Sequence, residues 1–210
     1  MRLVGSTDPQ EKEDKEKDGR AARSERARAA VVDALLALID EGNLSPTAQA
    51  IAERAGVSLR LVFHHFTDLE ALFIAASQRQ LERIAPTLRS IVTSGPLDDR
   101  LDEFVEQRCG VLERVCNVRR AALLLEPFSP AAKQRLKQVR DWKRAEVAAV
   151  FARELEPLPA KERAEVAAAL AAASSFDCWQ SLRLHQELSA EDTRKVMKRM
   201  LRSLLTRRSR

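Results

Sequence analysis

Between Thr47 and Phe66 a small residue, a glycine and a branched apolar residue stand at fixed spacing: Ala52, Gly56 and Val62. Ile51 and Ala55 are apolar four apart, so the stretch from Ala48 to Arg54 reads as a short helix with Thr47 as its cap. Gly56 breaks that helix, and Ser58 caps a third helix ending near Phe66. This is the arrangement a helix-turn-helix requires. The small residue lets two helices approach, the glycine takes the positive φ of the turn, and the later apolar residue docks the second helix. Such a turn throws the second helix outward, where it can enter a major groove. An ordinary αα-hairpin in a bundle has the same spacing and stays open as the plainer reading.

The rest of the chain is helical by the same logic. An apolar helical period runs from Arg23 to Gly42 through Ala27, Ala30, Val31, Ala34, Leu35, Leu38 and Ile39. Asp68 starts a long helix through Leu81, Ile84 and Leu88, with Pro86 as a kink. Further helices are predicted at about 97–117, 118–126, 130–156, 161–186 and 190–206, the last capped near Ser189. The 210 residues contain six Gly and no Tyr, against a β sandwich, while Ala, Leu, Arg and Glu abound. The predicted class is all-α, with about nine helices.

Charge does not by itself mark a nucleic-acid binder. The net charge is +5, but residues 1–70 hold 10 Lys/Arg against 13 Asp/Glu, a net of −3. Residues 190–210 alone carry a net of +6. A solvated helix face and basic tail account for that surplus without a function. No secretory signal and no stretch of apolar residues able to span a bilayer is visible, and three Cys make no disulfide framework. The expected location is cytoplasmic, with no membrane partner. No glycine-rich phosphate loop and no His/Cys/Asp group with metal spacing stands out, so no enzyme, metal or cofactor is expected. Cys178 and His185, seven apart, make a poor catalytic pair.

Ile51-Ala52, Ala55-Gly56-Val57-Ser58, Val62-Phe63-His64-His65-Phe66 and Glu70-Ala71-Leu72 together resemble the TetR family of bacterial transcriptional regulators. The resemblance covers residues 23–75. It implies an N-terminal helix-turn-helix domain over 23–68 and a helical ligand-binding and dimerisation domain over 69–206. These are flanked by a disordered charged tail at 1–22 and a basic tail at 207–210. It further implies a repressor that binds a palindromic double-stranded DNA operator as a homodimer and is released by an unknown small-molecule effector. Two positions depart from the family, which usually has Tyr where Phe63 stands and Lys where Leu69 stands. Both departures remove contacts to the DNA backbone, which supply affinity more than sequence reading. The alternative is a helical regulator acting mainly through protein partners, with weakened DNA binding.

On this reading Arg60, the one long cation of the recognition helix, reads a guanine edge through its guanidinium fork. Leu59 packs on a thymine methyl, and Phe63 on the sugar–phosphate wall. Ser58, His64, His65 and Thr67 are further candidate contacts, with His65 equally able to close the domain core. Thr47 and Gln49 sit at a helix start that favours a phosphate. Arg23, Arg26 and Arg28 are candidates for the minor groove or backbone, or for a solvated helix face.

The resemblance also implies a pocket within about 97–185. Its candidate lining is Phe104, Arg108, Val111, Leu112, Leu124, Glu126, Phe128, Trp142, Val147, Phe151, Phe176, Trp179 and His185. With aromatics at 4%, an aliphatic pocket is expected. The last two helices are the expected dimer interface. Ala167, Ala171 and Ala172 allow close approach there, and Phe176, Leu182, Val196, Met200 and Leu204 form an apolar stripe.

Overall fold

The computed structural model describes residues 9–89 and 92–206, with side chains described from Asp18 onward. Every regular element among the described residues is helical. The chain divides into two compact units, residues 1–80 and 81–210, a later division than the 68/69 boundary expected from the motif.

In the first unit, α1 (Pro9–Asp40), α2 (Ala48–Ala55), α3 (Leu59–His65) and most of α4 (Leu69–Ile84) surround one small core. Val31, Leu35, Leu36, Ile39, Ile51, Ala52, Val62, Phe66, Leu72 and Ala76 are all buried. The helix α1 starts at Pro9, so residues 9–22, expected as part of a disordered tail, are helical. The reason is physical. Apolar periodicity signals a helix, whereas this stretch is built of helix-forming Glu, Lys, Gln and Ala and carries no apolar period. Residues 1–8 and 207–210, the remainder of the two expected tails, lie outside the described residues. The helix α1 stops at Gly42, whose φ of +96° suits glycine, and Asn43 N–H donates back to the Leu38 carbonyl at 3.0 Å. Asp68 caps α4 by accepting from Ala71 N–H at 2.7 Å. Pro86 ends α4 in a single 3₁₀ turn (Ala85–Thr87) and does not kink it.

The second unit holds α5 (Leu97–Leu125), α6 (Pro130–Val150), α7 (Ala152–Leu155), α8 (Ala160–Ala173), α9 (Phe176–Gln180) and α10 (Ala190–Thr206). A π-helical turn, Ser181–His185, follows α9. The helices α5 and α8 each pack against α6 and against α10. Their shared core contains Leu101, Phe104, Leu112, Val147, Phe151, Leu170, Trp179, Met197 and Leu201.

Three predicted boundaries are corrected. The two helices expected over 97–126 are one, because Val118 and Ala121 continue the buried stripe past Asn117. The helix expected over 130–156 breaks at Phe151 (φ −108°, ψ 24°), whose buried ring meets the Phe104 ring edge-on at 5.4 Å. Arg100 secures that corner, donating to the Val150 carbonyl at 2.7 Å and pairing with the Glu154 carboxylate. The helix expected over 161–186 is split at Ser174 and Ser175. Ser174 Oγ donates back to the Leu170 carbonyl at 2.8 Å, and Ser175 Oγ caps the next helix by accepting from Cys178 N–H at 3.1 Å.

Candidate nucleic-acid interface and a charged cavity

Local chemistry fixes the α2–turn–α3 unit. Thr47 Oγ1 accepts from Ala50 N–H, and Ser58 Oγ from Leu61 N–H, each at 3.2 Å. Gly56 takes φ +67°, and Val57 N–H closes the turn on the Ala52 carbonyl at 3.0 Å. Ile51, Ala52 and Val62 face inward and are buried. The opposite face of α3 is therefore turned out.

That outward face carries the sequence-predicted residues. Arg60, Phe63 and His64 stand at i, i+3 and i+4, so they share one face, and all three are exposed. Phe63 leaves 48% of its surface to solvent and Leu59 38%, large values for apolar groups with a core available. Arg60 makes no ion pair among the described residues, whereas Arg54 is taken by Glu41 at 3.0 Å. Thr47, Gln49, Ser58 and Thr67 are exposed too. The Oγ atoms of Thr47 and Ser58 are occupied as helix caps, Gln49 donates to Glu53 at 2.7 Å, and Thr67 leans on Asp68. His65 turns partly inward: its Nε2 is buried without a partner, and its ring meets that of His64 at 5.3 Å. Arg23 and Arg26 fold back onto their own helix, donating to the Gly19 and Ala22 carbonyls. Arg28 lies 5.0 Å over the Phe66 ring, locking the end of α3 to α1.

The predicted pocket residues scatter more. Phe104, Arg108, Val111 and Trp142 do line one cavity of about 60 Å³, together with Leu88, Arg89, Gln107, Lys143 and Glu146. Leu112, Val147, Phe151, Phe176 and Trp179 instead fill the core of the second unit. Phe128 is 85% exposed in a loop and lines nothing. Glu126 pairs with Arg140 at 2.7 Å, which holds its carboxyl below the usual range, and Leu124 and His185 are exposed. The cavity is also not the aliphatic one expected, because four of its nine lining residues are charged.

Arg108 is the base of this cavity, with 3% of its side chain exposed. It donates to Glu146 Oε2 at 2.6 Å and to the Ser174 carbonyl at 2.9 Å, and stacks 4.7 Å over Phe104. Lys143 Nζ donates to the same Glu146 oxygen at 3.0 Å and lies 4.1 Å over the Trp142 ring. Burial, reinforced by the neighbouring Arg108 charge, lowers the Lys143 ammonium to about 8. At the rim the Gln107 amide holds residue 89 from both sides, accepting from its N–H at 2.8 Å and donating to its carbonyl at 3.1 Å. Sequence reasoning missed Leu88, Arg89, Gln107, Lys143 and Glu146. No local signal tells which charges of an amphipathic helix turn inward.

The three cysteines are free, and burial raises the Cys109 thiol to about 11. No helix among the described residues is long and apolar enough to cross a membrane.

Fold and site define an all-α protein with an N-terminal helix-turn-helix and a larger helical second unit. Residues 31–76 match the family model of bacterial regulatory proteins, tetR family. No curated protein matches the sequence. Among solved structures, a transcriptional regulator from Rhodococcus sp. RHA1 superposes with a TM-score of 0.65 at 20% identity, over 87% of this chain and 95% of the other. A TetR-like transcriptional regulator from the same organism gives 0.57 at 20% identity, over 89% and 98%. Residues 31–76 thus carry the tetR-family N-terminal motif, and the chain as a whole shares the fold of these solved regulators.

Proposed function

We propose that the protein is a ligand-responsive repressor that binds a palindromic operator as a homodimer and is released by a small-molecule effector. The observation that carries this reading is the outward face of α3: an unpaired Arg60 beside exposed Phe63 and His64, on a helix fixed by two side-chain caps and one glycine turn. A guanidinium with no protein partner is free to take a guanine O6/N7 edge, and Phe63 to lie against the groove wall. Of the alanines expected to allow close approach, Ala172 is exposed on α8, in line with the exposed Ala164 and Ala168, whereas Ala171 is half-buried and Ala167 packs half-buried against the chain's own core. Homodimerisation through α8 and α10 would use the exposed row. Phe176 and Leu182, expected in that interface, are buried within the chain itself. A two-fold dimer presents two recognition helices, hence a palindromic site. The effector acts by binding the released form better than the DNA-bound form.

The test is selection of binding sites from random DNA at low salt, with the oligomeric state measured in parallel. Enrichment of an inverted repeat by a dimer is the expected result. A dimer that enriches no sequence sinks the repressor reading. It would favour a regulator working through protein partners, as the missing hydroxyl at Phe63 and missing amine at Leu69 suggest.

A further inference from the structure

Two cations and one carboxylate meet at the base of the cavity in the second unit. Arg108 and Lys143 share the single acid Glu146, leaving one positive charge there without an acidic partner inside the wall. Burying an unbalanced charge is costly, so a site built this way is completed by an anion. Lys143 is placed to supply the contact. Its ammonium has three N–H donors, and Glu146 is the acceptor of one. Arg108, by contrast, is fixed by Glu146 and Ser174 and serves as a rigid positive floor.

Size and lining narrow the anion. The cavity holds about 60 Å³, where one water needs roughly 10–15 Å³ on the same measure, so about four or five heavy atoms fit inside. That is a charged head group with a short stem. The mouth is apolar on two sides: Leu88 is exposed there, and Trp142 leaves 53% of its surface to solvent. A flat or aliphatic body emerging from the cavity would lie against the part of Trp142 that Lys143 leaves exposed. The surplus at the base is a single positive charge, and the exposed Arg89 adds a second at the mouth, so the site suits an anionic head group.

We propose that this cavity binds a small organic carboxylate, its head group on Lys143 above Arg108 and its apolar body against Trp142 and Leu88. The proposal rests on the ligand-responsive reading above for its biological meaning, but the binding site itself can be tested without DNA. Benzoate is the probe, and benzamide is its uncharged isostere. Calorimetry on the full-length protein is expected to show saturable benzoate binding and none for benzamide. Replacing Lys143 by Gln should weaken benzoate roughly ten- to hundredfold, the loss of a hydrogen bond to a charged group. The K143R variant, which keeps a positive charge there, should bind benzoate more tightly than K143Q does.

Equal binding of benzamide, an unchanged affinity in K143Q, or displacement of benzoate by an equal concentration of inorganic phosphate would each overturn the carboxylate site. The selected operator then separates the two readings. Release of that DNA by benzoate in the wild type, lost in K143Q, supports both. Benzoate binding without release keeps the site and overturns ligand response by this class. Release that persists undiminished in K143Q overturns the site and leaves ligand response standing.

Discussion

Arg108 on α5 and Glu146 on α6 meet at 2.6 Å across 38 residues of sequence, with 3% and 12% of their side chains exposed. A pair buried this far gains little net stability from its attraction, but breaking it strands a charge. Replacing Glu146 by Ala leaves two cations facing each other without their acid. A loss of about 3–5 kcal/mol is expected, read from urea unfolding. The double variant R108M/E146L removes the deeply buried pair, leaving only the less buried Lys143 without its acid, and should lose clearly less than E146A alone. A double variant as unstable as the single one would mean that packing, and not the stranded charge, sets the cost.

Gly56 makes the turn with φ +67°, and a Cβ placed there would meet no atom within 4 Å. The cost of G56A is therefore backbone strain alone, about 1–2 kcal/mol. Thermal unfolding of the first unit should fall accordingly. A wild-type melting temperature in G56A would show that the turn tolerates another conformation.

Arg60 and Phe63 separate two kinds of DNA contact. R60A should cost about 1–3 kcal/mol at the preferred site and relax preference at one base position, read by competition among single-base variants of the selected site. Equal weakening on every sequence would instead place the guanidinium on a phosphate.

Phe63 stands where the resemblance leads one to expect Tyr, and 48% of it is exposed. F63Y should tighten binding roughly fivefold on all sequences alike, the worth of one added hydrogen bond to the DNA backbone. A change confined to one base position would contradict a backbone contact.

The Lys143 ammonium, lowered to about 8 by burial and the neighbouring Arg108, gives carboxylate binding its own pH signature. A carboxylate prefers the protonated form, so binding is full below that value and is lost as pH rises through it. Affinity for benzoate should drop about tenfold per pH unit above it, until Lys143 is neutral in the complex as well. The groups facing Lys143 are Arg108 from α5, Glu146 on its own helix and the exposed Arg89 at the mouth. K143R should flatten the profile between pH 7 and 9.

The helix-turn-helix was legible because its constraints are local. Thr47, Ala52, Gly56, Ser58 and Val62 lie within 16 residues, and each acts on a neighbour a few positions away. The cavity was legible only in part. Phe104, Arg108, Val111 and Trp142 are recoverable as bulky or buried-polar candidates, but their alignment with Lys143 and Glu146 depends on how α5 and α6 meet. A single helix does not encode that rotation. Composition misled in one respect: few aromatics implied an aliphatic pocket, whereas charged side chains turned inward. The N-terminal part of α1 was missed for the opposite reason, since its Glu-, Lys- and Ala-rich sequence forms helix without an apolar period.

Arg100 grips the corner after α6 on both sides, at the Val150 carbonyl and at Glu154. The far end of α6, at Pro130, has no such anchor in a buried cation. Toward that end Ala132 and Leu136 hold α6 by apolar burial. Trp142, Lys143 and Glu146 stand between the two ends, so the cavity wall is pinned by directional contacts on the Val150 side and by close packing on the other.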